Sequence, residues 1–183
     1  MELRSARLRL RPPSESDAAA VTAACQDPEI SRWIPLVPCP YGLDDATTFL
    51  RSVERRWSED DPERTFAIDE LETGVFLGVV TVHLREGGAV GYWLSRQARG
   101  RGLMTEAVRA VVEWAQGQGV RRLSLMTHPD NIASQRVAEK AGFRYVGLTH
   151  GPAFEDGTDQ ARLYELDLAK PAASGSRDHA GST

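Results

Sequence analysis

The chain has 183 residues, and its 22 Lys and Arg against 26 Asp and Glu give a formal net charge of −4. This length predicts one domain, and a hydrophobic fraction of 41% is enough for a core without disulfides or metals. The acidic balance argues against a nucleic-acid coat or a polybasic membrane binder, and no apolar run approaches the ~20 residues of a membrane span. The start lacks the apolar stretch of a secretion signal, and Cys25 and Cys39 form no disulfide framework or metal-ligand cluster. We therefore expect a protein of the reducing cytoplasm that binds neither nucleic acid nor membrane.

The first third of the chain predicts one strand and two helices. The hydrophobic pattern indicates, in order, a strand over 3–10, a helix over 14–25, a loop over 31–42 and a helix over 44–57. Asp17 can reciprocate the capping bond of Ser14 at the first helix, and Asp27-Pro28 is expected to end that helix. Asp44 or Asp45 can begin the second helix.

The rest of the chain alternates strands with helices. Strands are predicted over 65–68, 75–84 and 90–94 as an antiparallel meander, then a helix from Leu103 to Gly117 or Gly119, a strand over 120–127, a helix over 132–141, and strands over 143–148 and 161–168. This order predicts a mixed α/β fold in one domain over 1–170. Residues 171–183 carry no large apolar side chain and are expected to form a disordered tail.

The most informative segment is the glycine turn of residues 97–105, between a predicted strand and a helix. Gly100 and Gly102 let the backbone turn tightly without a Cβ, and the free N–H groups of the first helical turn form an anion site. A pyrophosphate matches several converging donors, and Arg99 and Arg101 would add charge at its rim. An ordinary strand-to-helix turn is the alternative. The spacing fits neither the dinucleotide fingerprint nor a P-loop, which argues against a nucleotide-dependent oxidoreductase.

Four segments together resemble the GNAT family of acetyl-CoA-dependent N-acetyltransferases, and within it the Rim-type branch. They are Gly91-Tyr92-Trp93-Leu94, Gln97-x-x-Gly100-x-Gly102, Asn131-x-x-Ser134 and Lys140-Ala141-Gly142-Phe143. The resemblance covers about Arg4 to Leu168. It implies a mixed, mostly antiparallel sheet of about six to seven strands with about four helices. It also implies direct transfer of acetyl from acetyl-CoA to an amine, either a protein N-terminus or a small molecule.

The resemblance also implies which residues bind the cofactor. The glycine turn and the start of the next helix would bind the pyrophosphate. The end of the preceding strand would bind the pantetheine, and its N–H near Leu94 would meet the thioester oxygen. These residues are Trp93, Leu94, Ser95, Arg99, Gly100, Arg101, Gly102, Leu103, Met104 and Thr105. Asn131 either caps its helix or, if Asp130 caps instead, contacts the pantetheine.

Ser134 has two interpretations. Its hydroxyl could bond back to its own helix, or it could donate the proton to the leaving thiolate, as the resemblance implies. Many relatives use a Tyr four residues later, where this chain has Ala138. The general base is equally open. Rim-type sequences often carry a Glu at the position of Ala89, so Glu86, His83, Glu155 or a water chain are the alternatives.

The acceptor site and the assembly are less defined by the sequence. Trp33 and Tyr41 lie in the proline-rich loop and are expected to line the amine site. Ala89 and Ala138 leave a second function open, a non-catalytic acyl-CoA-binding module. Exposed strand edges make a homodimer possible.

Overall fold

The computed structural model describes residues 1–168 as one eight-stranded sheet with five α-helices. The predicted tail over 171–183 lies outside the described residues. The strands are β1 (Leu3–Arg4), β2 (Leu8–Arg11), β3 (Glu63–Glu70), β4 (Phe76–His83), β5 (Gly88–Leu94), β6 (Arg122–Thr127), β7 (Arg144–His150) and β8 (Gln160–Asp167). The helices are α1 (Ala18–Cys25), α2 (Pro28–Trp33), α3 (Leu43–Ser58), α4 (Leu103–Gly117) and α5 (Ile132–Lys140). Within residues 1–168, no helix combines the length and the apolar character that a membrane crossing needs.

The sheet is mostly antiparallel, with the order β1-β2-β3-β4-β5-β6-β8-β7. The predicted meander of β3, β4 and β5 is confirmed. The one parallel pair, β5 with β6, is also the shortest contact in the middle of the sheet, because only Gly88 with Leu123 and Ala89 with Ser124 are partners. Beyond Ala89 the two strands part.

The sequence pattern merged two strands into one and missed one helix, so it predicted fewer strands and helices than the structure contains. The predicted first strand is two strands, because a turn at Ser5 interrupts it, with the Ser5 N–H donating to the Leu8 carbonyl over 3.0 Å. Asp27-Pro28 ends α1 but also begins α2, because the Asp27 side chain accepts from the Glu29 N–H and proline is tolerated in a first helical turn.

The core has two parts. The larger cluster packs α4 and α5 against the sheet and includes Tyr92 and Leu94, whereas the smaller one packs α1, α2 and α3 and includes Trp93. Neighbouring residues of β5 enter different clusters because side chains alternate along a strand. The end of β5 is therefore held by apolar packing from both clusters.

Candidate active site

Helix α4 begins with no side-chain cap on its first backbone amides. Gly100 and Gly102 both have φ of +76°, a conformation in which a Cβ is unfavourable. The first hydrogen bond of the helix runs from the Glu106 N–H to the Gly102 carbonyl, and no side chain caps the helix. The N–H groups of Leu103 and the two residues after it, Met104 and Thr105, therefore have no acceptor within the helix. The positive end of the helix dipole adds to them, so the turn suits an anion.

The two arginines of this turn are not free to meet an anion with their side chains. The Arg101 guanidinium pairs with Glu70 at 2.6 Å. The Arg99 guanidinium donates to the Leu94 carbonyl at 3.0 and 3.1 Å and pairs with Asp27 at 2.8 Å. Both guanidinium groups thus have protein partners, and the expectation that the two arginines lend charge to the rim stays a prediction. Their backbone remains part of the turn.

The parting of β5 from β6 opens a cleft beside the end of β5. Residues Val90 to Leu94 pair with β4 on one side only. The Ser95 N–H donates to the Leu77 carbonyl of β4 over 2.8 Å. Because successive peptide groups of a strand point to alternate edges, the Leu94 N–H is directed to the opposite edge, toward the cleft. An extended chain could pair with this edge as an added strand would.

Helix α5 borders the other side of the cleft, and its start is capped. The Asn131 carboxamide oxygen accepts from the Ser134 N–H at 3.0 Å, so the alternative in which Asp130 caps the helix is wrong. Asn131 keeps only its NH2 group for another partner. The Ser134 hydroxyl lies 3.0 Å from the Tyr92 hydroxyl, which also lies 3.2 Å from the Ser134 carbonyl.

Tyr92 is a candidate site residue that the sequence did not single out. Burial raises the pKa of its hydroxyl, more than the bond with Ser134 lowers it, so the group stays protonated. The side chain reaches from β5 to α5, where its hydroxyl meets Ser134. Tyr92 and Ser134 are 42 residues apart, so no local pattern predicts their contact.

Two of the three predicted general bases lie near the first residues of β5, at the end where β5 still pairs with β6. Glu86 lies in the turn before β5, with Arg121 at 4.0 Å, and His83 pairs with Glu63 at 2.8 Å. The length of β5 separates both from Leu94 by roughly 20 Å. The prediction of Glu86 as a catalytic residue is therefore wrong, because the hairpin carries it away from the cleft.

The third predicted base, Glu155, lines a cavity of about 180 Å³ together with Trp33. Glu155 has no hydrogen-bond or ion-pair partner within residues 1–168. Tyr41, the other predicted acceptor residue, is instead buried in the smaller core cluster, where burial raises its pKa to about 12. Tyr41 lies two residues before the start of α3 and packs inward, so its assignment to the amine site is wrong.

Comparison with known proteins agrees with this architecture. The sequence profile described as acetyltransferase (GNAT) domain matches residues 7–144. A probable N-acetyltransferase of Bacillus subtilis, YjcK, is 36% identical over 96 residues, which are 49% of this chain and 53% of the relative. The ribosomal-protein-serine acetyltransferase of Escherichia coli is 30% identical over 105 residues, which are 54% of this chain and 56% of the relative. The chain thus spans about half the length of these two curated relatives.

Solved structures share the whole fold. RimL, a ribosomal L7/L12 alpha-N-protein acetyltransferase solved in complex with coenzyme A, superimposes with a TM-score of 0.80 at 18% identity. The superposition covers 92% of this chain and 98% of RimL. The profile match spans most of the chain and includes both the end of β5 and the glycine turn that follows it. The chain belongs to the GNAT acetyltransferase family.

Proposed function

We propose that this chain transfers acetyl from acetyl-CoA to a primary amine by direct attack. The observation that carries the proposal is the opening between β5 and β6, which leaves the Leu94 N–H facing a cleft with the uncapped start of α4 nearby. Acetyl-CoA supplies the activated acetyl thioester. The amides of Leu103, Met104 and Thr105 hold the diphosphate, and the free edge of β5 pairs with the pantetheine.

The residues of the cleft divide the chemistry between them. The Leu94 N–H donates to the thioester oxygen, where negative charge develops as the amine attacks. The Ser134 hydroxyl protonates the departing thiolate, and Tyr92 holds that hydroxyl in place. Glu155 accepts the proton of the amine, since it is the one predicted base that lines the cavity beside His128, which follows β6 at the same end of the sheet as Leu94.

Turnover separates this proposal from a non-catalytic acyl-CoA-binding module, which Ala89 and Ala138 leave as the second candidate. The experiment follows free thiol release from acetyl-CoA with purified protein and a panel of amines and N-terminal peptides. We expect release that depends on an acceptor and that falls when Glu155→Gln is introduced. Thermal stabilisation by acetyl-CoA without release for any acceptor would favour the binding module.

The compartment is also part of this proposal. Cys25 and Cys39 are both free thiols, one buried and one exposed. Burial raises the pKa of Cys25 to about 12, which keeps this thiol protonated and unreactive. Two unpaired cysteines fit a reducing cytoplasm. The predicted homodimer stays a prediction.

A further inference from the structure

The cavity that Glu155 lines has walls made of aromatic rings from three separate segments of the chain. Trp33 ends α2, His128 follows β6, and Phe154 lies between β7 and β8. The Trp33 and His128 rings are 5.0 Å apart, and the His128 and Phe154 rings are 4.8 Å apart, edge to face. With a volume of about 180 Å³, the cavity is smaller than sites for drug-sized ligands and has room for one ring-sized group.

His128 holds a carboxylate at the edge of this cavity. The imidazole is 5% exposed, and its Nδ1 accepts from the Asp130 N–H at 3.0 Å. Nδ1 therefore carries a lone pair, and the ring proton resides on Nε2, which donates to Asp156 at 3.1 Å. Both ring nitrogens are engaged in hydrogen bonds, so His128 is not a free base. Hydrogen bonds from the Thr158 N–H and then His128 lower the pKa of Asp156, which stays ionised.

The charge at the cavity is negative. Glu155 and Asp156 both line it, and its one cationic lining residue, Arg32, is shared between the Trp33 ring and Glu29. The Arg32 guanidinium lies 4.4 Å from the centre of the Trp33 ring and 3.4 Å from Glu29. A ligand that carries its own carboxylate would meet two like charges here, whereas an ammonium group would meet two opposite ones.

We propose that the cavity selects acceptor amines that bear an aromatic group and no carboxylate beside the amine. This inference rests on the proposed function and adds the class of acceptor to it. The rings of Trp33 and Phe154 contact the aromatic group, Asp156 attracts the ammonium form, and Glu155 takes the proton before attack. Arylalkylamines and peptides with an N-terminal aromatic residue share this chemistry.

Phenylalaninamide and phenylalanine make a matched pair of probes, because they differ only in the carboxylate. We expect kcat/KM for acetylation, compared per mole of unprotonated amine, to be about 10-fold or more higher for phenylalaninamide. A peptide amide that begins with Phe distinguishes the peptide source from the small-molecule source. Binding of both probes to the protein saturated with coenzyme A is measured in parallel by calorimetry, so the preference is tested even without turnover.

Two variants and one control assign the preference to this cavity. Asp156→Asn should reduce the ratio between the probes several-fold, and Trp33→Leu should weaken binding of phenylalaninamide. Asp159→Asn is the control, since Asp159 lies in the same hairpin and pairs with His150 at 3.0 Å, outside the cavity. Equal binding of the two probes, or equal effects of Asp156→Asn and Asp159→Asn, would overturn the inference. Absent turnover with every amine, together with selective binding of phenylalaninamide, would overturn the proposed function and keep the cavity assignment.

Discussion

Helix α4 begins at two glycines with no side-chain cap on its first amides, whereas α5 begins with the carboxamide of Asn131 as its cap. Both helices border the same cleft and both present a positive dipole end toward it. In α5 the cap already accepts a hydrogen bond from that end, so the group that α5 presents to the cleft is a side chain, the Ser134 hydroxyl. In α4 the amides stay available for a ligand. One helix start is therefore suited to hold an anion and the other to move a proton.

The largest effect is expected from filling the open start of α4. Gly102→Val puts a β-branched side chain where φ is +76° and shifts the three amides after it. Losing their bonds to a diphosphate, each worth about 1.5 kcal/mol, should weaken acetyl-CoA binding about 1,000-fold. Calorimetric titration with acetyl-CoA measures the change.

Gly87→Val is the matched control for that substitution. Gly87 has φ of +72°, and nothing lies within 4 Å of an added Cβ, so the backbone strain is similar, but Gly87 lies in the turn before β5, at the opposite end of that strand from the glycine turn. The control should lose stability and keep its affinity for acetyl-CoA. Equal affinity in Gly102→Val would contradict the assignment of the anion site.

The next effect concerns the proton that α5 delivers. Ser134→Ala should lower kcat about 100-fold, as expected for loss of a general acid, with little change in the Kd of acetyl-CoA. Tyr92→Phe should lower kcat less, and it should add nothing in the Ser134→Ala background, because Tyr92 acts through Ser134. Steady-state kinetics of the double-mutant cycle checks this. A parallel loss of kcat and affinity would reduce Ser134 to a binding contact.

Removing the cap of α5 should lower the stability of the fold rather than weaken anion binding at α4. Asn131→Ala should lower the free energy of unfolding by about 1 kcal/mol in urea titrations. Asn131→Asp retains a capping oxygen and should stay near wild-type stability. If the Asn131 NH2 group also contacts the pantetheine, Asn131→Asp should weaken acetyl-CoA binding several-fold. Asp130→Ala is the control, and a loss of stability there equal to that of Asn131→Ala would contradict the cap.

The smallest effect is a pH dependence at the start of α4. Burial alone would raise the pKa of Glu106, but hydrogen bonds from Ser5 and Arg7 lower it in the folded protein. Its contribution is therefore complete above the unfolded pKa of about 4.3 and is lost as the pH falls through the folded pKa. Glu106→Gln should cost about 0.5–1 kcal/mol at pH 7 and progressively less at acidic pH.

The cap of α5 provides the contrast, since a carboxamide does not titrate. In urea unfolding at pH 7 and about pH 3, the deficit of Glu106→Gln should shrink, whereas that of Asn131→Ala should persist. A deficit of Glu106→Gln that stays constant across this range would show that the Glu106 carboxylate does not support α4.

Local sequence signals predicted the start of α4 well, because two glycines followed by a periodic apolar face constrain a turn and a helix at adjacent positions. They left the start of α5 ambiguous, since Asp130 and Asn131 are both good caps. They missed α2 because Asp27-Pro28 fits a helix end and a helix beginning equally.

Contacts between distant residues explain what the sequence missed at the site. The partners of Arg101 and Arg99 are Glu70 and Asp27, which lie 31 and 72 positions away, so two arginines beside a predicted anion site looked free. Whether the predicted bases lie near the cleft depends on which end of β5 separates from β6. That end follows from how far β5 and β6 pair, and no residue pattern within either strand encodes it.

The central claim is that the uncapped amides of α4 hold the diphosphate of coenzyme A. The most direct measurement is an amide NMR titration of the isotope-labelled protein with coenzyme A. The account predicts the largest shifts at Leu103, Met104 and Thr105, with the Leu94 amide also shifting. Saturation binding that leaves these three α4 amides unmoved, while other amides shift, would contradict it.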